Sequence, residues 1–357
     1  MSQTQNNDWQ NARERGAGLW RILIIFYCYK ILGRHITKAI ACVLFCFAFP
    51  FLKLPRQFSR DFLDKIARAK GVPASHFSTF RHLLNFVFSL VDKLAGWSNA
   101  IGMENLAIKT PEGWDAITRV FQAKQGAFVI CSHLGNIELF RAAFLNNEIS
   151  KRLRINIIIA TQISSTFAQA MQIINGNAGD KLIEVHTLGI DTAITIEEKI
   201  ANGEMVIMAG DRVLGRATQK SATALPFLGV PANFPNGVYR FAASLNCPVF
   251  AIFTLPQNNG GEIYVYELVE SRELRLVESR ELRVESSKNP VPANENLLNP
   301  ILPTVVSNSV NSVNSAVPAN SHARAQNLQK QFVAILEKMT LAHPYQWFNF
   351  FKFWKDE

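Results

Sequence analysis

Short apolar runs alternate with amphipathic segments through the middle of the chain. The runs are rich in β-branched and aromatic residues and occupy 127–132, 155–161, 181–186, 204–210 and 247–253. Segments with helical spacing of apolar residues separate them, at 137–146, 164–174, 191–202 and 237–245. This alternation predicts an α/β domain with a mostly parallel central sheet flanked by helices. In such sheets the chemistry usually lies at the carboxyl ends of the strands.

The first 70 residues follow a different pattern. Two apolar stretches, ILIIFYCY at 22–29 and AIACVLFCFAFPFL at 39–52, are separated by a segment that contains Arg34 and Lys38. The region holds twelve Lys and Arg against four Asp and Glu, an excess of eight in a chain whose net charge is +9. Anionic membrane surfaces attract such basic, aromatic-rich apolar regions. We therefore predict that 1–70 is a helical membrane-anchoring region.

The sequence leaves the mode of membrane attachment open. Neither apolar stretch reaches the roughly 18 to 20 residues of a clean spanning helix, and Pro50 interrupts the second. A monotopic anchor, a single short span and a helical hairpin in the interface all fit, as does a buried hairpin of a soluble domain. A cleaved signal peptide is disfavoured because charges split the apolar region and no small-residue cleavage site follows it. Nucleic acid as a partner would not explain so long an uncharged apolar run.

A tandem repeat follows the last predicted strand. LVESRELR at 268–275 recurs without change at 276–283, and the segment 286–322 is rich in Ser, Asn, Pro and Val without periodicity. These features indicate a repeat and flexible-linker insertion over 268–322, to which we assign no function.

Regular structure resumes after this insertion. An amphipathic helix is predicted over 327–339, and the chain closes on the aromatic segment HPYQWFNFFKFW at 343–354. We predict that 323–357 is a C-terminal helix and aromatic strap that completes the α/β domain of 71–267. A membrane-interface belt is the alternative interpretation of the aromatic segment.

The five cysteines show no metal-binding spacing and stand in apolar surroundings. We expect reduced core residues, which favours a reducing compartment. They are Cys28, Cys42, Cys46, Cys131 and Cys247.

His133 and Glu138 are the candidate catalytic pair. Spacing alone is weak, because seven histidines and 28 acids in 357 residues give about 0.5 such pairs by chance. A second pair, His186 and Asp191, has the same spacing. On one continuous helix the two side chains would lie roughly 140° apart. His133, however, follows a predicted strand, and a turn at Gly135 before the helix start would bring the pair together.

In that arrangement Glu138 accepts a hydrogen bond from one imidazole nitrogen and leaves the other free as a general base. Asn136 is a suitable N-cap for the helix. The second pair has a local explanation, because Asp191 serves as the N-cap of the next predicted helix and His186 needs no partner.

Four motifs in this order resemble the lysophospholipid acyltransferase superfamily. They are SHLGNIEL (132–139), MAGDRV (208–213), LPFLGVPANFPNGVYRFAASLNCPVFAIF (225–253) and HPYQWFNFFKFW (343–354). The most similar branch contains the lauroyl/myristoyl acyltransferases of lipid A biosynthesis and their relatives. The resemblance runs from about residue 9 to 257 and resumes near 325, so only the insertion lies outside it.

The resemblance implies a membrane-associated enzyme on the cytoplasmic face of a bacterial inner membrane. Such enzymes move a fatty or polyene acyl group from a thioester, commonly on acyl carrier protein, to a hydroxyl of a lipid or glycolipid. By this resemblance, His133 would be the general base and Glu138 its orienting partner. Asp211 and Arg212 would form a second pair that lines the site. Arg212 or the amides at the helix start FPNG, which ends at Gly237, can stabilise the oxyanion. The expected substrate-binding residues are Asp211, Arg212, Asn136 and Gly237. No metal or redox cofactor is needed.

The sequence differs from the lipid A enzymes in the LGNI segment before Glu138 and in its GDR motif. Both features resemble relatives that acylate other lipids, including aryl-polyene-type pigments, and acylation of ornithine lipids or lysophospholipids fits equally. A coenzyme A donor fits as well as acyl carrier protein. A structural ion pair is the alternative for Asp211 and Arg212.

Two other functions remain as alternatives. A catalytically inactive, membrane-bound scaffold of the same fold is the main one, although every motif residue is intact. An esterase would require a Gly-x-Ser-x-Gly elbow, which the sequence lacks.

Overall fold

A seven-stranded mixed sheet forms the centre of the described part of the chain. The computed structural model describes residues 19–97, 103–140, 154–160, 173, 181–185, 190–213, 221–257, 260–269, 321–351 and 353–354. The sheet strands are β1 (Leu106–Ile108), β2 (Ala127–Cys131), β3 (Ile155–Ala160), β4 (Lys181–Val185), β5 (Met205–Ala209), β8 (Val249–Gln257) and β9 (Gly260–Glu267), and a separate hairpin comprises β6 (Ala222–Phe227) and β7 (Val230–Pro235).

The strand order is β1-β9-β8-β2-β5-β3-β4. Strands β8, β2, β5, β3 and β4 run parallel, whereas β9 is antiparallel to β8 and parallel to β1. Helices cover the sheet, and β2 is buried along its whole length because it lies near the centre. The predicted α/β fold with a mostly parallel sheet is confirmed.

Seven helices accompany the strands among the described residues. They are α1 (Leu19–Ala48), α2 (Lys53–Lys70), α3 (Thr79–Trp97), α4 (Pro111–Gln122), α5 (Ile190–Ala201), α6 (Gly237–Ser244) and α7 (Ser321–Ala342). The predicted helices at 191–202, 237–245 and 327–339 correspond to α5, α6 and α7. The predicted helix at 164–174 falls, except for residue 173, outside the described residues, as does the part of 137–146 beyond residue 140.

The hairpin β6–β7 was not predicted. Leu228 and Gly229 form its two-residue turn, and both have positive φ, at 55° and 77°. Two adjacent positive φ values suit the mirror-image turns whose twist matches paired strands. Leu228 is stabilised in this conformation because its backbone N–H donates to the Glu337 carboxylate of α7 over 2.6 Å.

Helix α1 contains a break at Gly33, where φ is 77° and ψ is 175°. The segment Leu23–Phe51 has a mean hydropathy of 1.6 and is long and apolar enough to cross a membrane. Only 11% of its most apolar 18-residue stretch is buried. One such helix is a modest indication of membrane association.

The sequence predicted that all five cysteines lie in the core. This prediction is wrong for Cys46, which is exposed on α1. Cys131 and Cys247 are buried, and all five thiols are free.

The aromatic segment at the carboxyl end packs against the core. Trp347, Phe348, Phe353 and Trp354 are buried. Trp347 lies edge-on to the rings of Phe227 and Phe353 at centroid distances of 5.1 and 5.0 Å. This burial matches the strap interpretation of the segment.

The described structure extends two residues into the predicted insertion 268–322 at each end. Leu268 is buried, and the carbonyl of Val269 accepts hydrogen bonds from Asn327 and Gln331 of α7. Helix α7 begins at Ser321, inside the predicted linker. Residues 270–320 lie outside the described residues.

Candidate active site

A sharp turn after β2 places His133 at the carboxyl edge of the sheet. Gly135 has a φ of 77°, and a Cβ atom there would lie 2.0 Å from the backbone oxygen of Thr254. Only glycine fits this approach, because the conformation is left-handed and the neighbouring atom belongs to β8. The N–H of Asn136 donates to the same Thr254 oxygen over 2.7 Å. The predicted turn at Gly135 is confirmed.

Asp211 approaches His133 from the adjacent strand. Strands β2 and β5 pair in parallel with Cys131 opposite Ala209, so the residues that follow them emerge side by side. Asp211 Oδ1 lies 2.9 Å from Nδ1 of His133, and Oδ2 accepts the His133 backbone N–H at 2.9 Å. The Trp347 indole N–H donates to Oδ2 over 3.1 Å. Three donors therefore orient one fully buried carboxylate.

The carboxylate at Nδ1 of His133 is thus that of Asp211, where the sequence predicted Glu138. This corrects the proposed pairing, because an Nδ1–H donated to Asp211 is not available to a second carboxylate in the same geometry. Glu138 is buried at the start of a helical segment, and its N–H donates to Asn136 Oδ1 over 3.2 Å. The predicted capping role of Asn136 is therefore confirmed.

His133 is arranged as a neutral base. Burial lowers its pKa, and the positive charge of Arg212 lowers it further, while Asp211 raises it in part. Since Nδ1 faces a carboxylate, we assign the proton to Nδ1 and the lone pair to Nε2. Within the described residues no group hydrogen-bonds Nε2, and 40% of the side-chain surface is exposed. The imidazole is therefore only partly enclosed by the described residues.

Asp211 stays ionised despite its burial. Burial alone would raise its pKa, but the electrostatic attraction to His133, the two hydrogen bonds that His133 donates, and the charge of Arg212 outweigh that effect and lower it. An ionised Asp211 can stabilise the imidazolium that forms when His133 takes a proton.

Arg212 lies beside the pair and points toward the strap. Its guanidinium donates to the backbone oxygen of Phe348 and lies over the Phe351 ring, 5.0 Å from the centroid. Burial lowers its pKa to about 10, opposed by Asp211, so it remains protonated at neutral pH. Among the described residues its buried Nε has no hydrogen-bond partner, and neither has Nδ2 of Asn136. Both are donors available to a ligand.

Lys93 of α3 acts electrostatically on the site, which the sequence did not reveal. Burial lowers its pKa, the charge of Glu138 raises it, and that of Arg212 lowers it. The site thus combines two cations, two carboxylates and one imidazole. Lys93 gave no signal in the sequence, because a charged residue in an amphipathic helix usually marks the solvent face.

The aromatic strap closes over the turn that carries His133. The N–H of Gly135 donates to the Gln346 oxygen at 2.8 Å, and the N–H of Phe348 donates to the His133 oxygen at 3.2 Å. Leu134 and Trp347 form an antiparallel bridge. Residues from the end of the chain therefore fix the backbone around the candidate base.

Helix α6 contacts the segment that links β5 to Asp211. The hydroxyl of Tyr239 donates to the Gly210 oxygen over 2.8 Å, one residue before Asp211. The N–H of Asn236 donates to Ser221. No contact in the described part of the chain joins Gly237 to His133, so a substrate-binding role for Gly237 stays a prediction.

The neighbouring thiol is poorly suited to act as a nucleophile. Burial raises the pKa of Cys131, with the charges of Asp211 and Glu138 adding to the effect, so the thiolate form is suppressed. Among the described residues no cluster of three His, Cys, Asp or Glu can hold a metal ion. His186 of the second candidate pair lies outside the described residues.

The chain matches no protein-family model, and no curated protein is similar to it in sequence. The resemblance of the four ordered motifs to the lysophospholipid acyltransferases therefore stays a prediction from the sequence.

Proposed function

We propose that the protein is a membrane-associated O-acyltransferase that uses a thioester donor. The observation that supports this most is the contact between a partly exposed histidine and a fully buried carboxylate at the carboxyl edge of the sheet. That arrangement leaves one imidazole nitrogen open to an acceptor hydroxyl, which is the requirement for general-base catalysis of acyl transfer.

The reaction follows from the atoms present. Nε2 of His133 takes the proton of the acceptor hydroxyl while its oxygen attacks the thioester carbonyl carbon. The tetrahedral oxyanion then collapses, and the carbon–sulfur bond breaks. The imidazolium returns its proton to the leaving thiolate, which departs as a thiol. Asp211 stabilises the imidazolium between these two steps.

Arg212 and Asn136 supply donors for the oxyanion. Each has a buried N–H group without a partner among the described residues, and leaving such a group unsatisfied costs about 1 to 3 kcal/mol. An oxyanion that accepts these hydrogen bonds removes that cost only as the reaction proceeds, which favours the transition state over the ground state.

The donor and acceptor follow from the motif resemblance. We propose acyl carrier protein, or another acyl thioester, as the donor and a lipid or glycolipid hydroxyl as the acceptor. The apolar helix α1 supports this choice, because an enzyme that acylates a lipid must meet the bilayer. The proposed location is the cytoplasmic face of a bacterial inner membrane.

An inactive scaffold of the same fold is the second candidate. An inactive scaffold is expected to lack the side-chain geometry that turnover requires. The two hydrogen bonds between His133 and Asp211, and the third that Trp347 donates to Asp211, favour an active enzyme instead.

The proposal is tested with the full chain in detergent, a set of acyl carrier proteins loaded with different acyl groups, and polar lipid extracts. Release of free thiol that depends on the lipid, together with a lipid product heavier by one acyl group, is expected. Thiol release at the same rate without lipid would indicate a thioesterase. No release from any acyl carrier protein or coenzyme A thioester would favour the scaffold.

A further inference from the structure

The outward side of α1 after the break at Gly33 is apolar from Ile36 onward, and His35 beside the break is its exposed polar residue. Exposed apolar positions of α1 and of the short turn Phe49–Phe51 that follows it recur at roughly helical spacing, and the most exposed are Phe51 in that turn and Phe47 and Leu44 in α1, at 82%, 75% and 64%. We call this set the lipid-facing surface; it consists of Ile36, Ile40, Val43, Leu44, Phe47 and Phe51.

The inward side of the same segment carries its charges. Arg34 Nε lies 2.7 Å from Asp92 Oδ1, and Lys38 Nζ lies 2.8 Å from Asp92 Oδ2. Asp92, on α3, is buried. Thr37, which lies between Arg34 and Lys38 in the sequence, is buried as well. A surface helix of a soluble protein has the opposite arrangement, with apolar side chains inward and charges toward water. This arrangement suits a segment whose outward side meets an apolar medium.

We propose that the lipid-facing surface is embedded in one leaflet of an anionic bilayer, with the segment 34–51 lying along the membrane plane rather than across it. The occupant of this surface is the lipid bilayer itself. The side of the helix that meets the lipid and the orientation of the helix relative to the membrane are thereby specified, and the sequence had left both open.

The contacts of Arg34 exclude a transverse orientation of the docked helix. Its guanidinium also donates to the backbone oxygen of Gln257, at the carboxyl end of β8, over 2.7 Å. A helix that crossed the bilayer with its middle in the hydrocarbon would carry Arg34, Lys38, Asp92 and the edge of the sheet with it. Charges at that depth cost roughly 2.5 to 3.5 kcal/mol each even on insertion scales, and an exposed sheet edge costs more.

Charge complementarity supports an anionic leaflet. Lys53 and Arg60 are exposed on α2, just beyond the apolar tip formed by Phe51 and Leu54. Cations at the rim of an embedded apolar surface lie at the level of lipid headgroups, where each contributes about 1 kcal/mol of attraction to anionic lipids.

The same contacts place the bilayer beside the candidate active site. Gln257 ends β8, whose Thr254 touches the turn that carries His133. Asp92 precedes Lys93, whose charge acts on Glu138. A hydroxyl of a membrane lipid therefore has a short path to Nε2 of His133. This consequence rests on the proposed acyl transfer, whereas the membrane orientation does not.

The first test is binding of the full chain, without substrates, to vesicles of phosphatidylethanolamine and phosphatidylglycerol in a three to one ratio. Leu44→Gln and Phe47→Gln are each expected to weaken binding about tenfold, as expected for removal of one embedded large apolar side chain. Ile194→Gln is the matched control, since Ile194 is 51% exposed on α5, and it should bind as the unmodified chain does. Unchanged binding in both α1 variants would overturn the proposal.

The second test measures depth. Cys28, Cys42 and Cys46 are replaced by serine, and a fluorophore is attached to Ile36→Cys, Val43→Cys or Phe51→Cys in that background. Nitroxide-labelled lipids should place all three probes at a similar depth of about 5 to 10 Å below the headgroups. A transverse helix would separate the first and last probes by about 22 Å in depth, and that result would overturn the in-plane orientation. Binding as expected without any acyl transfer would reject the proposed function alone.

Discussion

The indole N–H of Trp347 donates a hydrogen bond to Oδ2 of Asp211 over 3.1 Å, across 136 residues of sequence. The same oxygen accepts the backbone N–H of His133, and the other oxygen faces the His133 imidazole. The strap at the carboxyl end therefore orients the carboxylate that positions the candidate base.

Replacing Asp211 by asparagine should reduce acyl transfer roughly 10²- to 10⁴-fold, because the amide neither stabilises an imidazolium nor fixes the Nδ1–H tautomer. Glu138→Gln, the isosteric change at the other carboxylate, should reduce it less. The measurement is kcat/KM for both variants, with folding checked by circular dichroism. A larger loss in Glu138→Gln would return the orienting role to Glu138.

His133→Ala should leave the protein folded and bound to membranes while cutting acyl transfer about a hundredfold or more, as expected for loss of a positioned base. His186→Ala is the control and should be nearly silent. Near-normal activity of purified His133→Ala would reject the mechanism, and a selective loss in His186→Ala would mean that the other histidine is the base.

Trp347→Phe removes one donor from Asp211 while retaining an aromatic ring. The carboxylate then interacts more strongly with His133, so the pKa of the imidazole should rise and the acidic limb of the kcat/KM profile should move to higher pH. Trp354→Phe is the matched control, because Trp354 is also buried in the strap and its Nε1 has no partner among the described residues. Equal shifts of the acidic limb in the two variants would show a packing effect only.

His82 should make the stability depend on pH. Its Nδ1 lies 2.9 Å from Ser59 Oγ and its Nε2 lies 3.0 Å from the Trp347 oxygen, and burial lowers its pKa to about 4. Between the ordinary pKa of about 6.5 and about 4, the unfolded chain binds more protons than the folded chain, so stability falls as pH falls through this window. The loss from this one group approaches about 3 kcal/mol.

Denaturant unfolding at several pH values measures this dependence. His82→Gln should be less stable at neutral pH, because Ser59 and the Trp347 oxygen lose their partner, yet it should lose less stability between pH 6.5 and 4. The same slope in both proteins would assign the pH dependence to other groups.

Residues 271–319 should be dispensable. Replacing them with a short Gly/Ser linker retains Val269 and the start of α7, and changing the length of a surface connection alters closure entropy only slightly. Activity and apparent Tm close to those of the full chain are expected. A shortened chain that no longer folds would show that the repeat contributes to the core.

The sequence by itself determined the strands that supply the core and the location of His133. Strands β2 to β5 and β8 were readable from their short runs of β-branched and aromatic residues, and β2, which is buried along its whole length, is apolar throughout for that reason. The turn at Gly135 was readable because a glycine between a strand and a helix marks a backbone conformation that other residues adopt poorly. Strands β1 and β9 and the hairpin β6–β7 gave weaker signals, since exposed positions interrupt their apolar pattern.

The tertiary structure alone decided which side chains meet His133. The sequence predicted Glu138 as the partner of His133 and Asp211 as the partner of Arg212, whereas the parallel pairing of β2 with β5 placed Asp211 at Nδ1. Lys93 lies on α3 and Trp347 lies in the strap, and the sequence around each gave no sign that its side chain acts on His133 or its neighbours. Periodicity reports which face of an element is buried, whereas contacts between distant elements depend on sheet order and packing, which are properties of the whole chain.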